Sequence, residues 1–229
     1  MRRKVCVAFA LLMSVGTSSS LALPPLPRLD APEALRSSHG FSGTANWLIP
    51  GRILLGANPT KGRGSALDRL MPIRCDAGCG TFVSLQEENE GREEEYLTDA
   101  ASVADPAPDF IRFPIEDLRP APSLAFLNEA CEEIARRVRA GERVYLHCFA
   151  GRGRTGLVAC CLLGVLYEEV ADADEALERV GAYYRLRASY VANARASDGM
   201  SPETEAQREQ VRDFYAARAA WRESSQDAG

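Results

Sequence analysis

One stretch of the chain, residues 147–156, combines residue types that can do covalent chemistry with residue types that can hold an anion. Cys148 is followed six positions later by Arg154, and a hydroxyl residue, Thr155, comes directly after it. The thiolate of cysteine is a strong nucleophile, and the planar guanidinium of arginine can hold two oxygens of one phosphate. This spacing predicts a thiol that attacks a phosphate bound beside it.

The flanking sequence predicts the elements that position this stretch. Residues 144–146 are apolar and favour a strand, while residues 157–163 favour a helix, so that a tight loop joins the two. The first N–H groups of a helix have no partner within the helix and attract anions. Glycine in such a loop lets several N–H groups converge on one phosphate. The predicted phosphate-binding residues are Phe149, Ala150, Gly151, Arg152, Gly153 and Arg154.

The same residues resemble the signature of the cysteine-based protein tyrosine phosphatase superfamily: His-Cys, five residues, then Arg and Ser or Thr. His147, Cys148, Arg154 and Thr155 match it, and the likeness extends over roughly residues 46–215, closest to the dual-specificity branch. The resemblance implies hydrolysis of phosphomonoesters through a phosphocysteine, with no cofactor and no metal. The implied substrate is a protein phosphorylated on tyrosine, serine or threonine.

The resemblance also implies a role for each matched residue. Cys148 is the nucleophile, Arg154 binds the equatorial phosphate oxygens, and Thr155 donates a hydrogen bond to the sulfur as it leaves. His147 has two interpretations. Hydrogen bonds that order the loop are favoured over proton transfer.

A general acid must protonate the leaving oxygen, and residues 115–120 can supply it. In the family this acid is an aspartate on a mobile loop upstream of the cysteine, which corresponds to Asp117. The neighbouring Glu116 is the alternative, although adjacent residues of an extended loop point in different directions. Asp117 would then act as the base that activates water against the phosphocysteine.

Gln207 resembles a glutamine that positions water in the larger tyrosine-specific enzymes. Its segment also reads as the start of a helix, with Ser201 as N-cap and Thr204-Glu205 in the first turn, which requires no catalytic role. The sequence alone supports both interpretations of this segment.

Arg152 is the residue that can change the substrate. Inositol-lipid phosphatases of the phosphatase-and-tensin type carry a basic residue at this place and another directly after the cysteine, where this chain has Phe149. Half of that pattern is present. The alternative substrates are therefore a phosphoinositide or other phospholipid, a phosphoglucan or a nucleotide.

Short apolar runs alternate with helical patterns along the chain, which predicts an α/β fold. The expected architecture is a mostly parallel sheet of four to five strands with helices on both faces. In such sheets ligands bind at the carboxyl ends of the strands, where the Cys148 loop falls. Residues 87–95, rich in glutamate, read as a solvated helix.

The chain divides into four predicted segments: a targeting segment (1–22), a Pro-rich extended linker (23–40), a phosphatase domain (41–222) and a flexible tail (223–229). The first segment is basic and then apolar, but shorter than the about 20 residues that span a bilayer. A secretory signal peptide is favoured, and a plastid or mitochondrial transit peptide is the alternative.

The composition is that of an ordinary globular domain, and the net charge of −5 gives no general attraction to nucleic acid. Any affinity for phosphate must therefore be local. We expect a monomer without a membrane span after removal of the leader. For the cysteines outside the loop we expect buried thiols, with a Cys75–Cys79 disulfide as the alternative.

Overall fold

The computed structural model describes residues 22–61, 65–91, 93–187 and 200–226. The predicted targeting segment, apart from its last residue, lies outside the described residues. Within the described part of the chain, no helix is long and apolar enough to cross a membrane.

Five strands of the described chain form one sheet in the order β1-β2-β5-β3-β4. Only β1 and β2 are antiparallel, and every other neighbouring pair is parallel. The first pair is a hairpin that turns at Gly51, where φ is 69°, as the Pro-Gly pair predicts. The strands are β1 (Ala45–Ile49), β2 (Ile53–Ala57), β3 (Thr81–Ser84), β4 (Asp109–Arg112) and β5 (Val144–Cys148).

One helix precedes β1, and the others lie in the later connections between the strands or follow the last strand. A π-helical turn, Pro72–Asp76, continues the second helix. The helices are α1 (Pro32–His39), α2 (Ala66–Met71), α3 (Glu93–Val103), α4 (Leu124–Arg139), α5 (Gly153–Leu166), α6 (Ala173–Tyr184) and α7 (Glu205–Gln226).

Both faces of the sheet are covered by apolar layers, which confirms the predicted fold class. Successive side chains of a strand point to opposite faces. On one face Leu55 and Leu146 join the cluster formed by α4, α5, α6 and α7. On the other, Leu54 and Tyr145 pack with residues of α2 and α3. Strands β2, β3 and β5 are accordingly buried along their whole length, as parallel strands covered on both faces usually are.

The segment predicted as an extended linker is part of the folded domain. Helix α1 lies within it and begins with a proline at its first turn. Leu35 is 4% exposed, and Leu23, Leu26 and Leu29 pack against the main cluster. The prolines suggested a linker, but apolar side chains spaced between them give this segment a face to bury.

Two further hydrogen bonds hold this segment to the domain. Tyr167 Oη donates to the carbonyl of Pro24 at 2.8 Å, and Arg179 Nη1 donates to that of Pro27, also at 2.8 Å.

The other end of the chain also differs from the predicted boundary. Helix α7 continues to Gln226, so the predicted tail from 223 begins inside a helix. Alanine at 216, 217, 219 and 220 favours continuation of this helix. Among the other cysteines, Cys79 is a buried free thiol, which excludes the Cys75–Cys79 disulfide in this structure.

Replacing Leu35 with alanine tests whether residues 23–40 belong to the domain. We expect Leu35→Ala to lower the free energy of unfolding by about 2 kcal/mol or more, because a buried leucine is truncated. Urea denaturation measures this change. Ser37→Ala, at an exposed position of the same helix, is the matched control. Equal stability of the two variants would restore the linker interpretation.

Candidate active site

The loop between β5 and α5 turns the backbone around the sulfur of Cys148. This residue ends β5 and is 2% exposed. The N–H of Gly151 donates to its Sγ at 3.3 Å. Gly151 has a φ of 67°, and a Cβ there would collide with the backbone of Gly56. Glycine is therefore required at 151 both by the dihedral and by the neighbouring strand.

Arg154 lies in the first turn of α5 and is 1% exposed. Its Nη1 donates to Glu90 Oε2 at 2.5 Å and to the carbonyl of Ile115 at 3.0 Å. Its Nη2 donates to Glu90 Oε1 at 2.5 Å and lies 2.8 Å from Asp117 Oδ1. The Nε is buried and has no hydrogen-bond partner within the described chain. A buried donor without a partner is costly, so this nitrogen is a ready site for an oxyanion.

Glu90 is a site residue that the sequence did not reveal. The predicted solvated helix over 87–95 is wrong in this part, because α3 begins only at Glu93. Glu90 instead lies in a turn after β3, where its N–H donates to the carbonyl of Glu87. Its place beyond the carboxyl end of a parallel strand is the signal that could have identified it.

The pair of Glu90 and Arg154 keeps both groups charged despite their burial. Burial alone raises the pKa of Glu90, but the hydrogen bonds and the charge of Arg154 outweigh it and lower that pKa. Burial likewise opposes the charge of Arg154, and Glu90, Cys148 and Asp117 together raise its pKa. The bidentate geometry fixes the plane of the guanidinium.

His147 is enclosed behind the loop and is fully buried. Its Nε2 lies 2.9 Å from Tyr96 Oη, and its Nδ1 lies 3.4 Å from the carbonyl of Cys148. Burial, with a contribution from the charge of Arg154, lowers the pKa of His147 to about 4. The ring is therefore neutral near pH 7. This position favours the interpretation in which His147 orders the loop.

Asp117 faces the site and Glu116 does not. Asp117 contacts Arg154, and its side chain is 61% exposed at the mouth of the site. Glu116 instead pairs with Arg119 at 3.7 Å. The next residue, Leu118, has a φ of 63°, an uncommon conformation for a residue with a side chain. The backbone therefore turns directly after the two neighbouring carboxylates.

Gln207 holds the loop that carries Asp117. Its side chain is fully buried and donates from Nε2 to the carbonyl of Arg119 at 3.0 Å. Its Oε1 accepts from the N–H groups of Glu203 (3.1 Å) and Thr204 (3.2 Å). All three of these hydrogen-bond partners are main-chain groups, which favours the structural interpretation over the positioning of water.

The start of α7 also differs from the predicted cap at Ser201. The helix begins at Glu205, and Thr204 Oγ1 accepts from the N–H of Gln207 at 3.3 Å, as an N-cap does. Ser201 Oγ instead donates to the carbonyl of Arg152 at 2.8 Å. Ser201 therefore supports the phosphate loop.

The side chain of Arg152 turns away from the loop, contrary to the prediction of a cation that faces the bound phosphate. Its Nε donates to the carbonyl of Met200 at 2.7 Å, and its Nη1 donates to Glu203 Oε1 at 3.0 Å. The carboxylate of Glu203 attracts the guanidinium to this side.

Two other predicted contacts are resolved differently. Thr155 Oγ1 is buried and has no hydrogen-bond partner among the described residues, so the predicted bond to the sulfur is not formed in this structure. Phe149 is 46% exposed and lies under Lys61 Nζ at 4.7 Å. The exposed ring of Phe149 therefore does not pack behind the loop.

No metal cluster accompanies these residues in the part of the chain that the structure describes. In those residues, no three His, Cys, Asp or Glu side chains are grouped so that they could hold a metal ion. The site is built from a thiol, a guanidinium, two carboxylates and loop N–H groups.

A family model matches residues 42–211. It is named PTP-SAK and described as "Swiss Army Knife protein, DSP-PTPase phosphatase domain". No curated protein matches the sequence.

Solved structures share the fold over about three quarters of the chain. Tk-PTP in its active form is 25% identical, with a TM-score of 0.56, and the match covers 76% of this chain and 97% of that one. Kinase associated phosphatase is 20% identical, with a TM-score of 0.55 and coverage of 73% and 88%. PTPMT1 in complex with PI(5)P is 20% identical, with a TM-score of 0.53 and coverage of 74% and 94%.

Replacing Glu90 with glutamine tests its role in holding Arg154. We expect Glu90→Gln to lower kcat/KM for an aryl phosphate by about tenfold or more, because a charge-assisted bidentate pair becomes a weaker one. Inhibition by inorganic phosphate should weaken in parallel. Glu88→Gln, at an exposed position of the same segment, is the control. Equal kinetics for the two variants would contradict the assignment.

Proposed function

The chain belongs to the dual-specificity type of cysteine phosphatases, and from this premise we propose that it removes phosphate from phosphorylated proteins. The observation that carries the proposal is the buried Nε of Arg154, which has no hydrogen-bond partner among the described residues, near a thiol that accepts from the N–H of Gly151. A tetrahedral dianion offers the acceptor that this donor lacks.

In the first step the thiolate of Cys148 attacks phosphorus. An S–P bond forms while the P–O bond to the leaving group breaks. Asp117 gives its proton to the leaving oxygen, so that a neutral hydroxyl departs. Arg154 and the loop N–H groups stabilise the negative charge on the equatorial oxygens.

In the second step water attacks the phosphocysteine. The carboxylate of Asp117 accepts a proton from this water as the new P–O bond forms. The S–P bond breaks, which releases inorganic phosphate and regenerates the thiolate of Cys148. The hydroxyl of Thr155, which has no hydrogen-bond partner in the described part of the chain, is the proposed donor to the departing sulfur.

The contacts of the Arg152 side chain support a substrate that carries a single phosphate, such as a phosphorylated side chain of a protein. Its guanidinium is bound by Glu203 and by the carbonyl of Met200, so it does not offer a second cation to a polyphosphorylated headgroup. The exposed ring of Phe149 provides an apolar wall at the mouth of the site. An aromatic leaving group such as tyrosine can pack against such a wall.

A phosphoinositide or other phosphorylated lipid is the second candidate. It is supported by Lys61, a cation on the rim beside Phe149, and by the fold shared with PTPMT1, whose structure contains PI(5)P. Phosphoglucan presents the same phosphomonoester chemistry.

Replacing Asp117 with alanine tests the general acid. We expect Asp117→Ala to lower the rate of hydrolysis of phosphopeptides, which have poor leaving groups, by about a hundredfold or more. The rate for para-nitrophenyl phosphate, whose leaving group needs no proton, should fall far less. Steady-state kinetics on both substrates measure the difference, with Glu116→Ala as the neighbouring control. Equal losses for the two substrates in Asp117→Ala would remove it from this role.

The substrate class is tested by phosphate release against a matched panel. It contains phosphotyrosine, phosphoserine and phosphothreonine peptides, inositol phospholipids in vesicles, and phosphoglucan. We expect the peptides to be preferred and Cys148→Ser to release no phosphate while it still binds them. Preference for the lipid or the glucan would replace the protein substrate, and turnover by Cys148→Ser would overturn the mechanism.

A further inference from the structure

A second buried arginine, Arg187, lies directly behind the phosphate loop. It follows α6 and is 2% exposed. Its Nη1 donates to the carbonyl of Gly151 at 2.8 Å, and its Nε donates to Asn46 Oδ1 at 2.6 Å. Its guanidinium also lies over the ring of Tyr184, 5.0 Å from the centroid.

Among the described residues, no carboxylate pairs with this charge. Across the described parts of the chain, Arg187 forms no ion pair with Asp or Glu, and a buried charge without a counterion is costly. Burial lowers the pKa of Arg187 to about 10, against the opposing effects of Tyr184, Tyr145 and Cys148. The guanidinium therefore stays positive near pH 7. An anion in the loop is the compensating charge that its position favours.

The bond from Arg187 also fixes the orientation of the backbone at Gly151. The N–H of this residue points to the sulfur at 3.3 Å, while its carbonyl points to Arg187. A carbonyl turned into the loop would present a partial negative charge to the phosphate. Asn46, which is fully buried on β1, holds the guanidinium in the direction needed for this bond.

We propose that Arg187, oriented by Asn46, is a positioning residue of the phosphate loop. It keeps the carbonyl of Gly151 turned away from the bound phosphate and adds positive charge behind the thiolate. Arg187 contacts neither the substrate nor the sulfur, and acts through Gly151. This inference rests on the proposed phosphatase chemistry.

Arg74 provides a matched control for the general effect of a buried arginine. It too is buried and donates to backbone carbonyls, namely those of Cys79 at 2.6 Å, Ala100 at 3.3 Å and Ala104 at 2.8 Å, as well as to Pro106. None of these partners belongs to the phosphate loop. Loss of either arginine should destabilise the fold, but only loss of Arg187 should change the loop.

The test is alkylation of Cys148 by iodoacetamide, which requires no substrate. The rate is followed from about pH 4 to 9 by mass spectrometry of the Cys148 peptide, with and without inorganic phosphate. We expect Arg187→Met to move the pH profile to higher pH. The phosphate concentration that gives half-protection should rise about tenfold or more, because a charged hydrogen bond is lost. Arg74→Met should change neither quantity.

Two milder variants keep the test decisive if Arg187→Met fails to fold. Arg187→Lys retains the charge without the fork, and Asn46→Ala leaves Arg187 in place but unoriented. We expect both to shift the profile and the half-protection in the same direction by smaller amounts. Folded variants that match Arg74→Met in both measurements would overturn the positioning role.

The two proposals fail in distinguishable ways. If inorganic phosphate does not protect Cys148 in the unaltered protein, the phosphate site itself is refuted, and the inference with it. If phosphate protects the unaltered protein and Arg187→Met equally, only the role of Arg187 is refuted.

Discussion

The structure depends on keeping a guanidinium charged at a place that water hardly reaches. Arg154 is 1% exposed, and removing such a charge from water is expensive unless other groups compensate it. Glu90 binds two of its nitrogens, and Asp117 contacts one of them. The remaining Nε is left for the substrate. Three distant parts of the chain must therefore meet at the start of α5 before the site exists.

The rest of the fold positions main-chain groups around that charge. Strand β5 lies between β2 and β3, so the loop that follows it emerges at the centre of the sheet. Gly151 approaches the backbone of Gly56 too closely for a side chain, and its carbonyl is bound from behind by Arg187. Gln207 then joins the loop that carries Asp117 to the start of α7. Each support acts on backbone, which gives the site rigidity without occupying it.

The sequence predicted those features of the fold and the site that depend on residues close together in the chain. Alternation of apolar runs and helices predicted the sheet, its mostly parallel order and the loop after β5, because these follow from local periodicity and from glycine. Contacts between charged side chains that lie far apart in the sequence were not predictable. Glu90 and Arg154 are 64 positions apart, and the turn of Arg152 toward Glu203 spans 51. Charge alone did not show which carboxylate each arginine would meet. In residues 23–40 the many prolines favoured the prediction of a linker, although the apolar residues between them pack against the domain.

The most direct test of this account is detection of the covalent intermediate on Cys148. The enzyme would be mixed briefly with a phosphopeptide that it turns over, quenched in acid, digested and analysed by mass spectrometry. We expect phosphate on the sulfur of Cys148 in the unaltered enzyme and none at this site in Cys148→Ser. Turnover with phosphate on a different residue, or full turnover by Cys148→Ser, would contradict it.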